Sequence, residues 1–208
     1  MSSALPTQID LTGDLAGALP QAPLSQVPMS QVIISFAEDL IALPNFGELE
    51  ALYQQDKIVA ILQQVLQYFQ THQDTIEIPN QLGEFIFQKT VELEIYVTEP
   101  VEARAINLDA RGKDYATNIL SYASELPEAV LELLPALPLG ELVICHAVVV
   151  SQAAEQGKTA QQHLTHLLVH GMLHLLGFDH ELGQAEQDEM EAIEIAVLNK
   201  LSVANPYE

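Results

Sequence analysis

Positive charge is scarce in this 208-residue sequence. Seven Lys and Arg stand against 29 Asp and Glu, a formal net charge of −22. Such a chain repels a polyanion at long range, which excludes a broad basic face for non-specific RNA or DNA binding. Any polyanion site has to be local. Arg104, Arg111 and Lys113 are the one concentration of bases, with Asp109 and Asp114 among them. Cysteine is nearly absent too. Cys145 stands alone, which excludes a disulfide framework and suits a reducing compartment. No Lys or Arg occurs in the first 56 residues, so the basic start of a secretory signal or transit peptide is missing. No apolar run reaches the roughly 20 residues of a membrane-spanning helix. The expectation is a soluble cytoplasmic protein with no membrane partner.

Apolar residues make up 49% of the chain, enough for a core of one domain. Residues 1–28, rich in Pro, Ser, Gln and Ala without a firm period, read as a flexible N-terminal extension. Met29 is a second candidate start, and residues 29–208 read as the domain. It opens on a β-rich run, MSQVIISF. Helical spacing follows over Ile58–Phe69, and THQDTIEIPNQLGEF carries loop signals. Val91–Thr98 alternates as a strand does, and a short helix is expected over Pro100–Asp109. Two further strands are expected over Thr117–Tyr122 and Glu141–His146, with a Pro-bearing loop between them. Helices are expected over Ala147–Glu155, Ala160–Leu176 and Gln184–Leu201, with Gly157 and Gly177 as breaks. This order predicts a single compact α+β domain, a small mixed β-sheet covered by helices, with a metal site at the end of a long helix.

That site is read from His170-Gly-Met-Leu-His174-Leu-Leu-Gly177-Phe-Asp-His180. Positions four apart share a helix face, so His170 and His174 can face one ion. Gly177 can take the left-handed conformation that ends a helix and turns the chain, bringing His180 to the same point. Three neutral imidazoles leave a tetrahedral zinc one open position, the pattern of a catalytic site. Zinc lowers the pKa of bound water to about 7, which points to hydrolysis. Nickel and iron also suit imidazole. His163 and His166 read as packed or surface residues, and His72 as part of a loop. The spacing is that of the metzincin proteases, H-E-x-x-H-x-x-G-x-x-H. Gly171 stands where those proteases carry their glutamate base, and this ranks peptide hydrolysis second.

HGMLHLLGFDH resembles the H-G-x-L-H-L-x-G-x-D-H signature of the YbeY endoribonucleases, bacterial rRNA maturation factors. Arg111-Gly-Lys-Asp-Tyr-Ala-Thr-Asn-Ile-Leu-Ser121 is similar to that family's R-G-K-D-x-P-T-[DN]-V-L-S stretch, and residues 140–158 and EMEAIE from Glu189 continue the likeness. It is close over residues 91–202 and looser over 29–90. Ala116, Tyr122 and Ala123 depart from it, which touches the shape of the cleft rim. The resemblance implies a zinc-dependent, single-strand-specific endoribonuclease, one Zn²⁺ per chain on the three histidines. It implies action in 16S rRNA maturation, ribosome quality control and RNA turnover. As partners it implies the 16S rRNA precursor, the small ribosomal subunit with one of its proteins, and a ribosome-associated GTPase. The family's functional arginine falls on Arg111.

Phosphodiester cleavage needs stabilisation of phosphoryl charge, which a guanidinium fork at Arg111 can supply. The plainer reading of Arg111 is an ion pair with Asp109 or Asp114. Lys113 and Asn118 are candidate substrate contacts, or else a solvated lysine and a turn-forming asparagine. Asp179 either orients a ligand ring or caps the turn after Gly177. Cys145 and His146, adjacent on an expected strand, point to opposite faces and make no catalytic pair. The acidic run Glu186–Glu194 reads as a solvated helix face that could dock a basic ribosomal protein. A metal-carrying ribosome-assembly factor with little nuclease activity is the alternative from another class.

Overall fold

The structure is a computed structural model that describes residues 29–208, so the extension expected over 1–28 lies outside the described residues. Its elements are β1 (Ser30–Phe36), α1 (Glu38–Ile41), α2 (Phe46–Glu50), α3 (Gln55–Thr71), β2 (Thr90–Thr98), α4 (Pro100–Arg111), β3 (Ile119–Ala123), α5 (Glu128–Leu133), β4 (Ala136–Cys145), α6 (His146–Glu155), α7 (Ala160–Leu175) and α8 (Gln184–Lys200). The four strands form one mixed sheet in the order β1-β2-β4-β3. The first three run parallel and β3 pairs antiparallel with β4. The fold is α+β, as the order of sequence patterns implied.

Each element follows from its side-chain period. Val91, Leu93, Ile95 and Val97 alternate into the core of β2. Ile58, Ile61, Leu62, Val65, Leu66 and Phe69 line one stripe of α3. Both helices that carry the core pack on the sheet, α3 on β1 and α7 on β3 and β4, and they pack on each other. Helix α7 is buried almost all round, through Leu164, Leu167, Leu168, Met172, Leu173 and Leu175. Each such side chain, fully removed from water, stabilises the fold by about 1.5–3 kcal/mol. A capping box starts α7: Gln162 N–H donates to Thr159 Oγ at 3.2 Å, and Thr159 N–H donates to Gln162 Oε1 at 3.0 Å. Helix α8 then covers α7 and α3.

Two expectations change in detail. The strand expected at Glu141 begins five residues earlier, at Ala136, inside the segment read as a Pro-bearing loop. Pro138 is tolerated because the register shifts beside it: Glu92 pairs with Pro138 and Leu93 with Gly140, so Leu139 is the extra residue of a bulge. His146 does not end that strand but begins α6. The loop segment also contains α5, one short helix with Leu131 buried.

Candidate metal centre

The centre is built at the C-terminal end of α7. His170 and His174 lie one turn apart, and their Nε2 atoms stand 3.1 Å from one another. Beyond them the helix closes in a Schellman turn. Gly177 N–H donates to the His174 carbonyl at 3.0 Å and Phe178 N–H to the Leu173 carbonyl at 3.0 Å. Gly177 carries φ +95°, and a Cβ there would lie 3.1 Å from the Asn80 nitrogen and 3.3 Å from the Pro79 Cβ. Asn80 reaches across from the loop after α3 and donates to the Leu175 carbonyl at 2.7 Å. Phe178 is buried and stacks on Phe69, with centroids 5.4 Å apart. Pinned on both sides, the turn delivers His180 to the other two rings, at centroid distances of 5.2 Å and 5.1 Å. One nitrogen from each of His170, His174 and His180 lies within 4.8 Å of the others.

The donor set fits a divalent cation. Two nitrogens on one tetrahedral zinc stand roughly 3.3–3.4 Å apart, given bonds of about 2.0–2.1 Å. The hydrogen bond on the far side of His170 fixes which nitrogen is free. His170 Nδ1 lies 2.8 Å from Glu194 Oε1, so its proton sits there and Nε2 presents a lone pair. His174 is pushed down to about 4 by burial and by the nearby His170 and His180, so it is neutral at pH 7 and able to ligate.

Glu194 is the residue that sequence reading missed. From its sequence the acidic run reads as a solvated face. Glu186, Asp188 and Glu189 are indeed exposed, but Glu194 is fully buried. His166 Nε2 lies 3.2 Å from its Oε2, and the Tyr207 hydroxyl donates to the same oxygen. Burial alone would raise its pKa. The hydrogen bonds from His166, His170 and Tyr207 outweigh burial and hold it at about 2. A signal was present. Met190, Ile193, Glu194, Val197 and Leu198 are the buried positions of α8, so the glutamate falls on the apolar stripe, where a charge needs partners.

A cleft of about 370 Å³ opens beside the histidines, with Arg111, Asn118, Ser121 and Glu181 in its wall. Arg111 ends α4 and stands 4.0 Å from Glu181. Of the two carboxylates offered as ion-pair partners for Arg111, Asp109 and Asp114, the second pairs with Arg104, through contacts of 2.7 Å and 2.8 Å. Asn118 is held at both ends: its Nδ2 donates to Gln152 Oε1 at 2.9 Å, and its Oδ1 accepts from Ile119 N–H at 2.7 Å. Lys113 is exposed on the connection after α4 and is not part of the cleft wall. Asp179 accepts from Glu181 N–H at 2.9 Å, so it caps the turn, and orienting a ligand ring falls to Glu194. Cys145 is buried, which raises its thiol pKa, while His146 Nδ1 lies 3.2 Å from the Tyr53 hydroxyl. The two make no catalytic pair.

Fold and site together define an α+β protein with a three-histidine pocket suited to a divalent cation, opening on a cleft that holds an arginine. The chain belongs to the Endoribonuclease YbeY family, whose model matches residues 50–202. It is 65% identical over 120 residues to the Endoribonuclease YbeY of Psychrobacter cryohalolentis, covering 58% of this chain and 77% of that one. Against the protein of the same name from Psychrobacter arcticus it is 67% identical over 120 residues, 58% of each chain. Against that of Acinetobacter baumannii it is 52% identical over 122 residues, 59% of this chain and 77% of the other. A Thermotoga maritima protein solved in solution aligns over 84% of this chain and 92% of its own, with 17% identity and a TM-score of 0.45. The family resemblance read from HGMLHLLGFDH and RGKD is borne out.

Proposed function

We propose that this chain is a metal-dependent endoribonuclease that cuts single-stranded RNA by hydrolysis. The observation that carries the reading is the convergence of three imidazoles and Arg111 on one cleft. His170, His174 and His180 would hold one Zn²⁺, which when bound supplies Lewis-acid polarisation of a phosphoryl oxygen and water of lowered pKa. The chain's own groups do the rest. Arg111 pairs with the non-bridging oxygens of the scissile phosphate and stabilises the charge that grows there. Glu194 keeps the His170 proton on Nδ1. Asn118, held by Gln152, shapes the wall against which a nucleotide lies, and Lys113 adds a flanking phosphate contact. Water is the nucleophile, so a 2′,3′-cyclic phosphate end would overturn that part.

The names of the relatives support RNA as substrate. On the family's pattern the RNA is the 16S rRNA precursor, in rRNA maturation, ribosome quality control and RNA turnover in the cytoplasm. The partners are the small ribosomal subunit with one of its proteins and a ribosome-associated GTPase. Among the described residues, no helix is long and apolar enough to cross a membrane.

The test is cleavage of single-stranded RNA by wild type and His174→Ala, purified identically without a histidine tag, with metal content measured on both. The expected result is one zinc per wild-type chain, none in His174→Ala, and cutting only by wild type. Equal cutting by both would leave the protein a binding factor of ribosome assembly.

A further inference from the structure

Helix α8 ends as α7 does, in a Schellman turn. Ser202 N–H donates to the Asn199 carbonyl at 3.2 Å and Val203 N–H to the Leu198 carbonyl at 2.9 Å, with Ser202 at φ 59°. The turn sends the last residues back along the helix. Asn205 Oδ1 accepts from Tyr207 N–H at 3.1 Å, and the Pro206 carbonyl accepts from Lys158 Nζ at 3.4 Å. These bonds aim the Tyr207 hydroxyl at Glu194, 13 residues back along the chain, while the residue stays 47% exposed and its ring meets His166 edge-on at 6.0 Å.

The buried carboxylate therefore has three donors and two jobs. Oε1 holds His170 Nδ1–H, whereas Oε2 takes His166 and Tyr207. A carboxylate bound on one oxygen alone can turn about its last bond. Bound on both, it cannot, and the ring it holds is fixed in tautomer and direction. Tyr207 makes the shorter of the two contacts on Oε2, and without it that oxygen is left to His166 alone at 3.2 Å. We propose that Tyr207 and Glu194 make the C-terminal tail part of the metal centre, as positioning residues that lock His170 for the cation. The inference rests on the three-histidine cation site argued above. It goes beyond that site by placing its affinity under the control of a segment with no ligand in it.

Zinc affinity is measured by chelator competition on the full chain, for wild type, His174→Ala, Glu194→Gln and Tyr207→Phe. Imidazole ¹⁵N shifts of the metal-free proteins report the His170 tautomer, and thermal melts report folding. Glu194→Gln is expected to weaken zinc binding by roughly 10–100-fold and Tyr207→Phe by roughly 3–10-fold. Glu194→Gln loses the single Nδ1–H tautomer of His170, and Tyr207→Phe populates the other tautomer beside it. Should Glu194→Gln fail to fold, Tyr207→Phe, which keeps the buried carboxylate, carries the test. Wild-type affinity and an unchanged tautomer in Tyr207→Phe, with binding still lost in His174→Ala, would overturn the inference and leave the cation site standing. Wild-type affinity in His174→Ala would instead remove the cation site, and the inference with it.

Discussion

At position 171 the missing side chain has a steric cause. A Cβ there would lie 2.8 Å from Leu142 Cδ2, 2.9 Å from Ile119 Cδ1 and 3.3 Å from Ser121 Oγ. Helix α7 meets the side chains of β3 and β4 closely at this glycine. The tips of Leu142 and Ile119 can yield to a methyl group, so Gly171→Ala is expected to change stability little, its cost offset by about 1 kcal/mol of helix propensity. Gly171→Glu forces an unpaired carboxylate against the sheet. It is expected to lower stability by more than about 3 kcal/mol in urea denaturation and to create no protease. Arg111 and Lys113 separate in the same way. Arg111→Ala is expected to keep zinc and lose RNA cleavage by roughly 10²–10³-fold, the usual loss when a donor to developing charge is removed. Lys113→Ala should weaken RNA binding uniformly and reduce the salt slope by about 1 while leaving the single-turnover rate at saturating RNA unchanged. A large fall in that rate for Lys113→Ala would place it in the chemistry instead.

Helix ends, more than helix interiors, set the geometry of the centre. His170 and His174 share a face by helical period alone, whereas His180 arrives through Gly177, Phe178 and the Asn80 loop. Gly177→Ala puts a Cβ at φ +95° and against Asn80. It is expected to cost about 1–3 kcal/mol and to weaken zinc binding with it, read by parallel melts and chelator competition. Unchanged zinc affinity would show that His180 does not depend on that turn. Long periodic segments such as α3, α7 and α8 were legible in the sequence, because burial of a stripe imposes its spacing. Strand β4 was legible only from Glu141, because Pro138 reads as a loop residue until a bulge accommodates it. Glu194 was hidden for a related reason. Its neighbours Glu189 and Glu191 made the segment look solvated although it keeps step with Met190, Ile193, Val197 and Leu198, and its partners appear only once α8 is packed on α7.

Acid is expected to destabilise the metal-free molecule. Burial lowers the pKa of His146 below its ordinary 6.5, and burial with nearby His166 and Lys158 lowers that of His163. As pH falls through about 6.5, the unfolded chain takes up these protons and the folded one does not, so stability present above that value is lost. Glu194, held at about 2 against an ordinary 4.5, extends the loss: its contribution is full above 4.5 and disappears toward pH 2. The urea midpoint should therefore fall from pH 7.5 to 5.5, and His163→Gln should flatten that fall. A midpoint independent of pH in this window would contradict the sign. The family, the helical face shared by His170 and His174, the turn at Gly177 and the candidacy of Arg111 were readable before any folding. These follow from local spacing and residue type, which are written along the chain. That Asp114 belongs to Arg104, that Gly171 is a packing contact, and that Glu194 and Tyr207 stand behind His170 came from the packed fold. Those facts depend on which segments meet across the fold, and the partners of a buried charge are set by that meeting, not by sequence neighbours.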